Sequence, residues 1–180
     1  MTAIIDEIFD LFARFGGGHY GEALSLESHM IQSAVRAQSL GAPDAVIVAA
    51  LLHDIGYFLH PDSAGSIEAG RNIGHEALGA AWLSQAFGPE VTAPVALHVE
   101  AKRYLCRAEP GYFDQLSEAS RLSLAVQGGV ISAEGAAAFA KHASASAAIL
   151  LRRCDDHGKD VSLSTPSLAD FRALVTAALR

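Results

Sequence analysis

The stretch that most constrains this chain is Leu51-Leu52-His53-Asp54-Ile55-Gly56, where an imidazole and a carboxylate stand side by side at the end of the apolar run 46–52. A run that apolar belongs in a core, and it carries Asp54 in with it. A buried, unpaired carboxylate is costly enough that it either neutralises or finds a cation. The adjacent imidazole offers that cation a second ligand. His53 and Asp54 are therefore read as the centre of a metal site, with the rest of the chain supplying further ligands and a substrate pocket.

The surrounding pattern is helical nearly throughout. Ile4, Ile5, Ile8, Leu11, Phe12 and Phe15 recur at helical spacing, and Gly16-Gly17-Gly18 stops that helix. Ser25 is placed to cap a second helix through Leu40, with Gly41 as terminator. Pro43 suits the first turn of a third helix running to Ile55, ended by Gly56, and 57–73 then reads as a long loop. Further helices are expected over 75–87, through His98 to Leu105 with Pro94 in the first turn, and over 117–127. Others are expected over 132–141, over 143–157, and from Thr165-Pro166 to the end. The chain reads as one all-α domain over 1–180, with a metal-binding core over about 19–159 and a C-terminal packing helix over about 166–180.

Six of the eight histidines fall between His19 and His98. His29, His53, Asp54, His75, His98 and Asp155 lie on or at the ends of successive helices. Imidazole and carboxylate together suit Fe, Mn, Zn, Co or Ni. Asp54 can bridge two cations through its two oxygens, which leaves open coordination positions, as catalytic metals need. The formal net charge of −7 gives no electrostatic case for nucleic acid or an anionic membrane. No apolar run approaches bilayer-spanning length. Cys106 and Cys154 are far apart and form no CxxC pair, which fits reduced packing residues in a cytoplasmic protein. His142 and His157 match no ligand position and are read as surface or packing residues.

The order His29, His53-Asp54, His75, His98, Asp155 resembles the HD-domain superfamily, named for its adjacent His-Asp. Most of that superfamily are metal-dependent phosphohydrolases acting on nucleotides or other phosphate esters. A closer resemblance lies in the segments Tyr20-Gly21-Glu22, RNIGHEALG (71–79), HVEAKRYLC (98–106) and LRRCDDHGK (151–159), which look like the HD-domain oxygenases of phosphonate degradation. Those enzymes are related to myo-inositol oxygenase. The resemblance implies a helical bundle holding a mixed-valent Fe(II)/Fe(III) pair. With O2 as co-substrate, that pair cleaves the C–P bond of a 1-hydroxyphosphonate to phosphate and a carboxylic acid. A separate hydroxylase upstream would make the substrate.

By that resemblance His29, His53, Asp54 and Asp155 hold one iron, while Asp54, His75 and His98 hold the other. A phosphonate dianion needs cationic donors. Lys102, four residues after His98, and Arg152, three before Asp155, each share a helix face with a ligand. Ser123 and Gln127 are the matching neutral donors. Glu22 is implied as the carboxylate facing the organic end of the substrate. Relatives carry a lid tyrosine three residues before that glutamate. His19 holds this place here, with Tyr20 next to it, so the lid is either residue or neither. Relatives often carry histidine where Tyr57 stands in this chain, at a position that helps hold the phosphonate. Glu76, beside His75, is read either as a group orienting that imidazole or as a first-turn acid answering the helix dipole.

Overall fold

The computed structural model describes residues 2–19, 23–60, 63, 65–66 and 69–180, and among these the regular structure is helical, with one isolated bridge between Phe87 and Leu179. Helix α1 (Thr2–Phe15) buries Ile5, Ile8, Leu11 and Phe12 at the expected three- and four-residue spacing. Ser25 caps α2 (Leu26–Ser39), its hydroxyl accepting from the Ser28 amide at 3.2 Å, and Gly41 takes φ +66° just beyond the helix. Helix α3 (Asp44–Leu52) has no polar face: Val48, Ala49, Ala50, Leu51 and Leu52 are all fully buried. A helix apolar on every side sits inside a bundle. Burying each leucine there contributes ~1.5–3 kcal/mol.

The chain continues through α4 (Gly56–Leu59), α5 (His75–Leu83), α6 (Pro89–Ala108), α7 (Tyr112–Gln115), α8 (Glu118–Val126), α9 (Ala133–Ala140) and α10 (Ala145–His157), then a 3-10 turn (Leu168–Phe171) and α11 (Arg172–Ala177). Helices α2, α6 and α10 pack around α3 and α10 packs on both α2 and α6, so the end of α3 emerges between three walls. Helix α5 packs on α6, and α1 closes one end against α4 and α11. Two smaller apolar clusters lie beyond α6: Ala101, Phe139 and Ala148 under α9, and Leu105, Tyr112 and Leu124 under α7 and α8. No helix among the described residues is long and apolar enough to cross a membrane.

Several boundaries differ from the sequence reading: α5 ends at Leu83 rather than 87, α6 runs on to Ala108, and α4 takes up the start of the expected 57–73 loop. Helix α3 stops at Leu52 rather than Ile55, because i to i+3 bonds take over: Ile55 to Leu52 O, Tyr57 to Asp54 O and Phe58 to Ile55 O. Gly56 does not terminate a helix but opens α4. A Cβ on Gly56 would meet the His75 carbonyl oxygen at 1.9 Å, so its role is to let the start of α5 lie against it. Pro94 lies inside α6, which already begins at Pro89. The amide that Pro94 lacks would have bonded the Glu90 carbonyl, on an exposed residue where water can replace it. At the C-terminus the helical segment starts at a Ser167–Asp170 capping box instead of Pro166, and the chain ends with Arg180 N bonded to Ala86 O.

Candidate metal centre

Asp54 sits in the turn below α3 with its two oxygens facing opposite ways. Oδ2 lies 3.4 Å from His53 Nε2 and 3.7 Å from His29 Nε2 of α2. Oδ1 lies 3.2 Å from His75 Nε2, at the first residue of α5, and 3.7 Å from His98 Nε2 of α6. Asp155 of α10 closes the first side, with Oδ1 at 3.3 Å from His29 Nε2 and Oδ2 at 4.0 Å from His53 Nε2. The donor atoms thus form two groups, His29–His53–Asp54 and Asp54–His75–His98, which share Asp54.

The histidine tautomers are set from outside the cluster. His29 Nδ1 donates to Gly158 O (2.8 Å), His53 Nδ1 to Ala50 O (2.8 Å) and His98 Nδ1 to Val95 O (2.7 Å). A carbonyl can only accept, so each Nδ1 carries the proton and each neutral ring turns an Nε2 lone pair inward. Ala50 is in the last turn of α3, where intrahelical partners run out, and so its carbonyl is available. Gly158 performs the same service for α2, since a Cβ there would lie 2.9 Å from the His29 carbonyl oxygen.

Lone pairs turned towards carboxylate oxygens do not satisfy one another. His53 Nε2 is buried without a hydrogen-bond partner despite its 3.4 Å approach to Asp54. Donors held ~2.1 Å from a common ion are themselves ~3.0–3.4 Å apart in octahedral or tetrahedral arrangement. The spacings around Asp54 are close to this, and the residues fit metal. Burial opposes a charge on His53, yet Asp54 and Asp155 raise its pKa to about 9. Burial together with the neighbouring His75 and His53 holds His98 well below the usual imidazole range. Burial would raise Asp54, but His53 and His75 keep it well below the ordinary carboxylate value.

A cavity opens beside the cluster, lined by Asp54, His75 and His98 and also by Lys102, Arg152 and Lys159. Lys102 is 2% exposed and donates to Ser123 Oγ at 2.6 Å. Burial, with Arg152 nearby, pushes its ammonium down to about 7. Gln127 lines the cavity with a buried Oε1 that has no hydrogen-bond partner. Tyr57 lines it too and stacks on the His75 ring, centroids 4.2 Å apart and planes 16° apart.

Arg152 is more heavily engaged than a substrate donor alone would be. Nη1 pairs with Asp155 Oδ2 at 2.6 Å, and Nη2 meets Asp156 Oδ1 and, at 3.3 Å, Ser120 Oγ. Nε donates to the Tyr112 hydroxyl at 3.2 Å, which itself donates to Asp156. Against the cost of burial, Asp155 and Asp156 hold its pKa well above the ordinary arginine value.

The positions read from sequence as ligands therefore converge, and Lys102, Ser123, Gln127, Arg152 and Tyr57 share their cavity. Tyr20 and Glu22 lie outside the described residues; Leu24 and Leu26, just after them, line the cavity. His19 is exposed. His142 and His157 are exposed, each with Nδ1 bonded to backbone. Lys159, Ser120 and the Tyr112–Asp156 pair were not singled out from sequence. Lys159 follows Asp155 by four, the same spacing as His98 and Lys102, but Gly158 caps α10 before it and a helix-face argument stops there.

An all-α bundle that gathers imidazoles and carboxylates around one bridging aspartate, beside a cation-lined cavity, defines a metal-dependent enzyme centre of the histidine–aspartate type. The chain belongs to the HD-domain family, whose profile matches residues 26–127. It is 40% identical over 173 residues to a [1-hydroxy-2-(trimethylamino)ethyl]phosphonate dioxygenase (glycine-betaine-forming) of Leisingera caerulea, covering 96% of this chain and 88% of that one. It is 38% identical over 177 residues to a hydroxymethylphosphonate dioxygenase of Gimesia maris, covering 97% and 88%. An uncharacterised protein of Acanthamoeba polyphaga mimivirus is 33% identical over 175 residues, covering 95% and 80%.

Proposed function

We propose that this protein is a cytoplasmic oxygenase that uses O2 and two iron ions to cleave the C–P bond of a 1-hydroxyphosphonate, giving a carboxylic acid and inorganic phosphate. The observation that carries this reading is the division of Asp54's two oxygens between two histidine pairs, beside a cavity that Lys102, Arg152 and Lys159 also line. Lys159 donates to Ser117 and Ser120 at the N-terminal end of α8, at 2.9 and 2.8 Å. A cation is disfavoured at that end of a helix dipole. With Arg152 paired to Asp155 and Asp156, the two lysines Lys102 and Lys159 beside a positive helix end call for an anion, which a phosphonate is.

The two relatives with named activities are both dioxygenases of phosphonates that bear a hydroxyl on the phosphorus-linked carbon. For such a substrate the reaction balances with O2 alone: one oxygen atom enters the carboxyl group and the other the phosphate. When bound, a mixed-valent Fe(II)/Fe(III) pair supplies the O2 chemistry that breaks the C–H and C–P bonds. His29, His53, Asp54 and Asp155 would hold one ion, and Asp54, His75 and His98 the other, leaving room for substrate. Lys102 donates to phosphonate oxygens; Ser123, whose hydroxyl accepts from Lys102 and donates to the Ser120 carbonyl at 3.0 Å, holds that ammonium, and the Gln127 carbonyl accepts from the substrate. Arg152 chiefly holds Asp155 in place. Tyr57 walls the cavity and keeps the His75 ring in its plane. By the family resemblance, Glu22 would face the organic group, and either Tyr20 or His19 would cover the open position until substrate arrives. The two relatives differ in that group, one carrying trimethylaminomethyl and the other only hydrogen.

The test is O2 uptake and phosphate release on a panel of hydroxymethylphosphonate, 2-amino-1-hydroxyethylphosphonate and its N-methylated forms, with iron content known. One O2 consumed per phosphate is the expected result. Phosphate release that continues unabated without O2 would overturn the reading and indicate hydrolysis.

A further inference from the structure

The four histidines of the cluster are not held alike. His29, His53 and His98 each place Nδ1 on a backbone carbonyl. The His75 Nδ1 instead faces a carboxylate, Glu76 Oε2, at 3.4 Å. That oxygen is buried and has no hydrogen-bond partner. A first-turn acid that served only the α5 dipole would remain in water at the helix end. Glu76 buries an oxygen against a cluster imidazole.

The two halves of the cluster also differ in charge. The His29–His53 half has Asp155 as well as its share of Asp54, whereas the His75–His98 half has Asp54 only. A carboxylate behind an imidazole fixes its tautomer and makes the other nitrogen a better electron donor. The rest of His75 is already constrained, its ring by Tyr57 and its backbone by Gly56.

We infer that Glu76 is a positioning residue for His75, supplying through the imidazole the negative charge that the His75–His98 position lacks among its own side chains. This rests on the two-ion reading of the centre but not on the identity of the substrate. It makes the two positions unequal in a defined direction: loss of the Glu76 charge weakens the second ion and spares the first.

The experiment compares the parent protein with Glu76→Gln and Glu76→Ala by anaerobic titration with Fe(II) against a competing chelator, alongside the melting temperature of each apo protein. Glu76→Gln keeps volume and is the deciding variant if Glu76→Ala folds poorly. The expected result is a first equivalent bound as in the parent, a second bound ~10–100-fold more weakly, and an apo melting temperature near that of the parent. The electron paramagnetic resonance signal of a coupled Fe(II)/Fe(III) pair should weaken or shift with the second equivalent. Unchanged affinity for both equivalents in both variants refutes the role, and so does equal weakening of both, which would mark Glu76 as a general structural residue. A parent that takes up one ion only overturns the two-ion reading and this inference with it. A parent that binds two ions but acts on no phosphonate overturns the proposed reaction alone, and the affinities still decide the role of Glu76.

Discussion

Gly56→Ala tests the coupling between the His-Asp turn and the next ligand more sharply than a change to any ligand would. The added Cβ would lie 1.9 Å from the His75 carbonyl oxygen, 2.6 Å from its carbonyl carbon and 2.9 Å from its Cα. All three are backbone atoms, so no side chain can swing aside. Reaching even a tight 3.0 Å contact requires the first turn of α5 to retreat by about 1 Å or more from α4. His75 is the first residue of that turn, and its Nε2 now stands 3.2 Å from Asp54 Oδ1. Ligand distances in a metal site are held to about 0.2 Å, so a shift of this size takes His75 out of the set. Overpacking of this kind costs ~1–3 kcal/mol, or ~2–12 °C in melting temperature for a chain of this length. The variant should fold, bind one ion per chain instead of two, and lose oxygenase activity. Two ions bound at parental affinity, with activity within about twofold, would refute the account of Gly56 as the residue that seats His75.

Lys102→Met should leave metal content unchanged and lower kcat/KM for a hydroxyphosphonate ~10–100-fold, since a charge-assisted hydrogen bond contributes ~1.5–3 kcal/mol; equal loss of metal would make Lys102 structural. The depressed Lys102 pKa of about 7 sets a pH dependence: in the empty enzyme the ammonium is charged below that value, so KM should climb as pH rises through it, and the climb should vanish in Lys102→Met. For the apo protein the sign is reversed. The unfolded chain binds the additional proton between about 7 and 10.5, so stability should rise with pH across that window, and flattening of the slope in Lys102→Met checks it. Tyr57→Phe should preserve the stack on His75 and hence two-ion binding, whereas Tyr57→Ala should weaken the second ion selectively, both read by chelator competition. Asp156→Asn should loosen Arg152 and through it Asp155, weakening the first ion more than the second, the opposite pattern to Gly56→Ala.

The convergence of the six histidine and aspartate positions was legible because the constraint behind it is local and chemical. An apolar run ending in His-Asp forces a buried carboxylate, and the other positions sit on or beside segments whose helical period is plain. Ser25 caps its helix as expected, and Ser117 and Ser132 do the same for α8 and α9, each hydroxyl accepting from a backbone amide in the first turn. The nearness of Lys102 to the cluster was legible for the same reason, since it lies with His98 inside one continuous helix. What was not legible depends on partners distant in sequence. Gly56 looks like a helix stop, and its actual neighbour is the backbone of His75. Lys159 lies past the end of α10 and reaches the cavity only because the chain turns towards α8. Asp156 and Tyr112 are 44 residues apart, and no periodicity links them.

Those distant partners alter the division of labour among the cations. Arg152 looks from its spacing like one more donor to the phosphonate, but it is surrounded by Asp155 on one side and Asp156 on the other. Two carboxylates more than neutralise one guanidinium, so Arg152 adds little net charge to the cavity and much rigidity to Asp155. Lys102 and Lys159 line the same cavity, one held by Ser123 and the other by Ser117 and Ser120. Burial, with Arg152 nearby, pushes the Lys102 ammonium down to about 7. An anion in the cavity would favour its charged form, whereas a neutral sugar or alcohol would not. The cavity is therefore matched to an anion through the cost of leaving it empty as well as through the contacts made when it is filled. Asp54, which entered the argument as a buried carboxylate in need of a cation, has the same logic with the charges reversed.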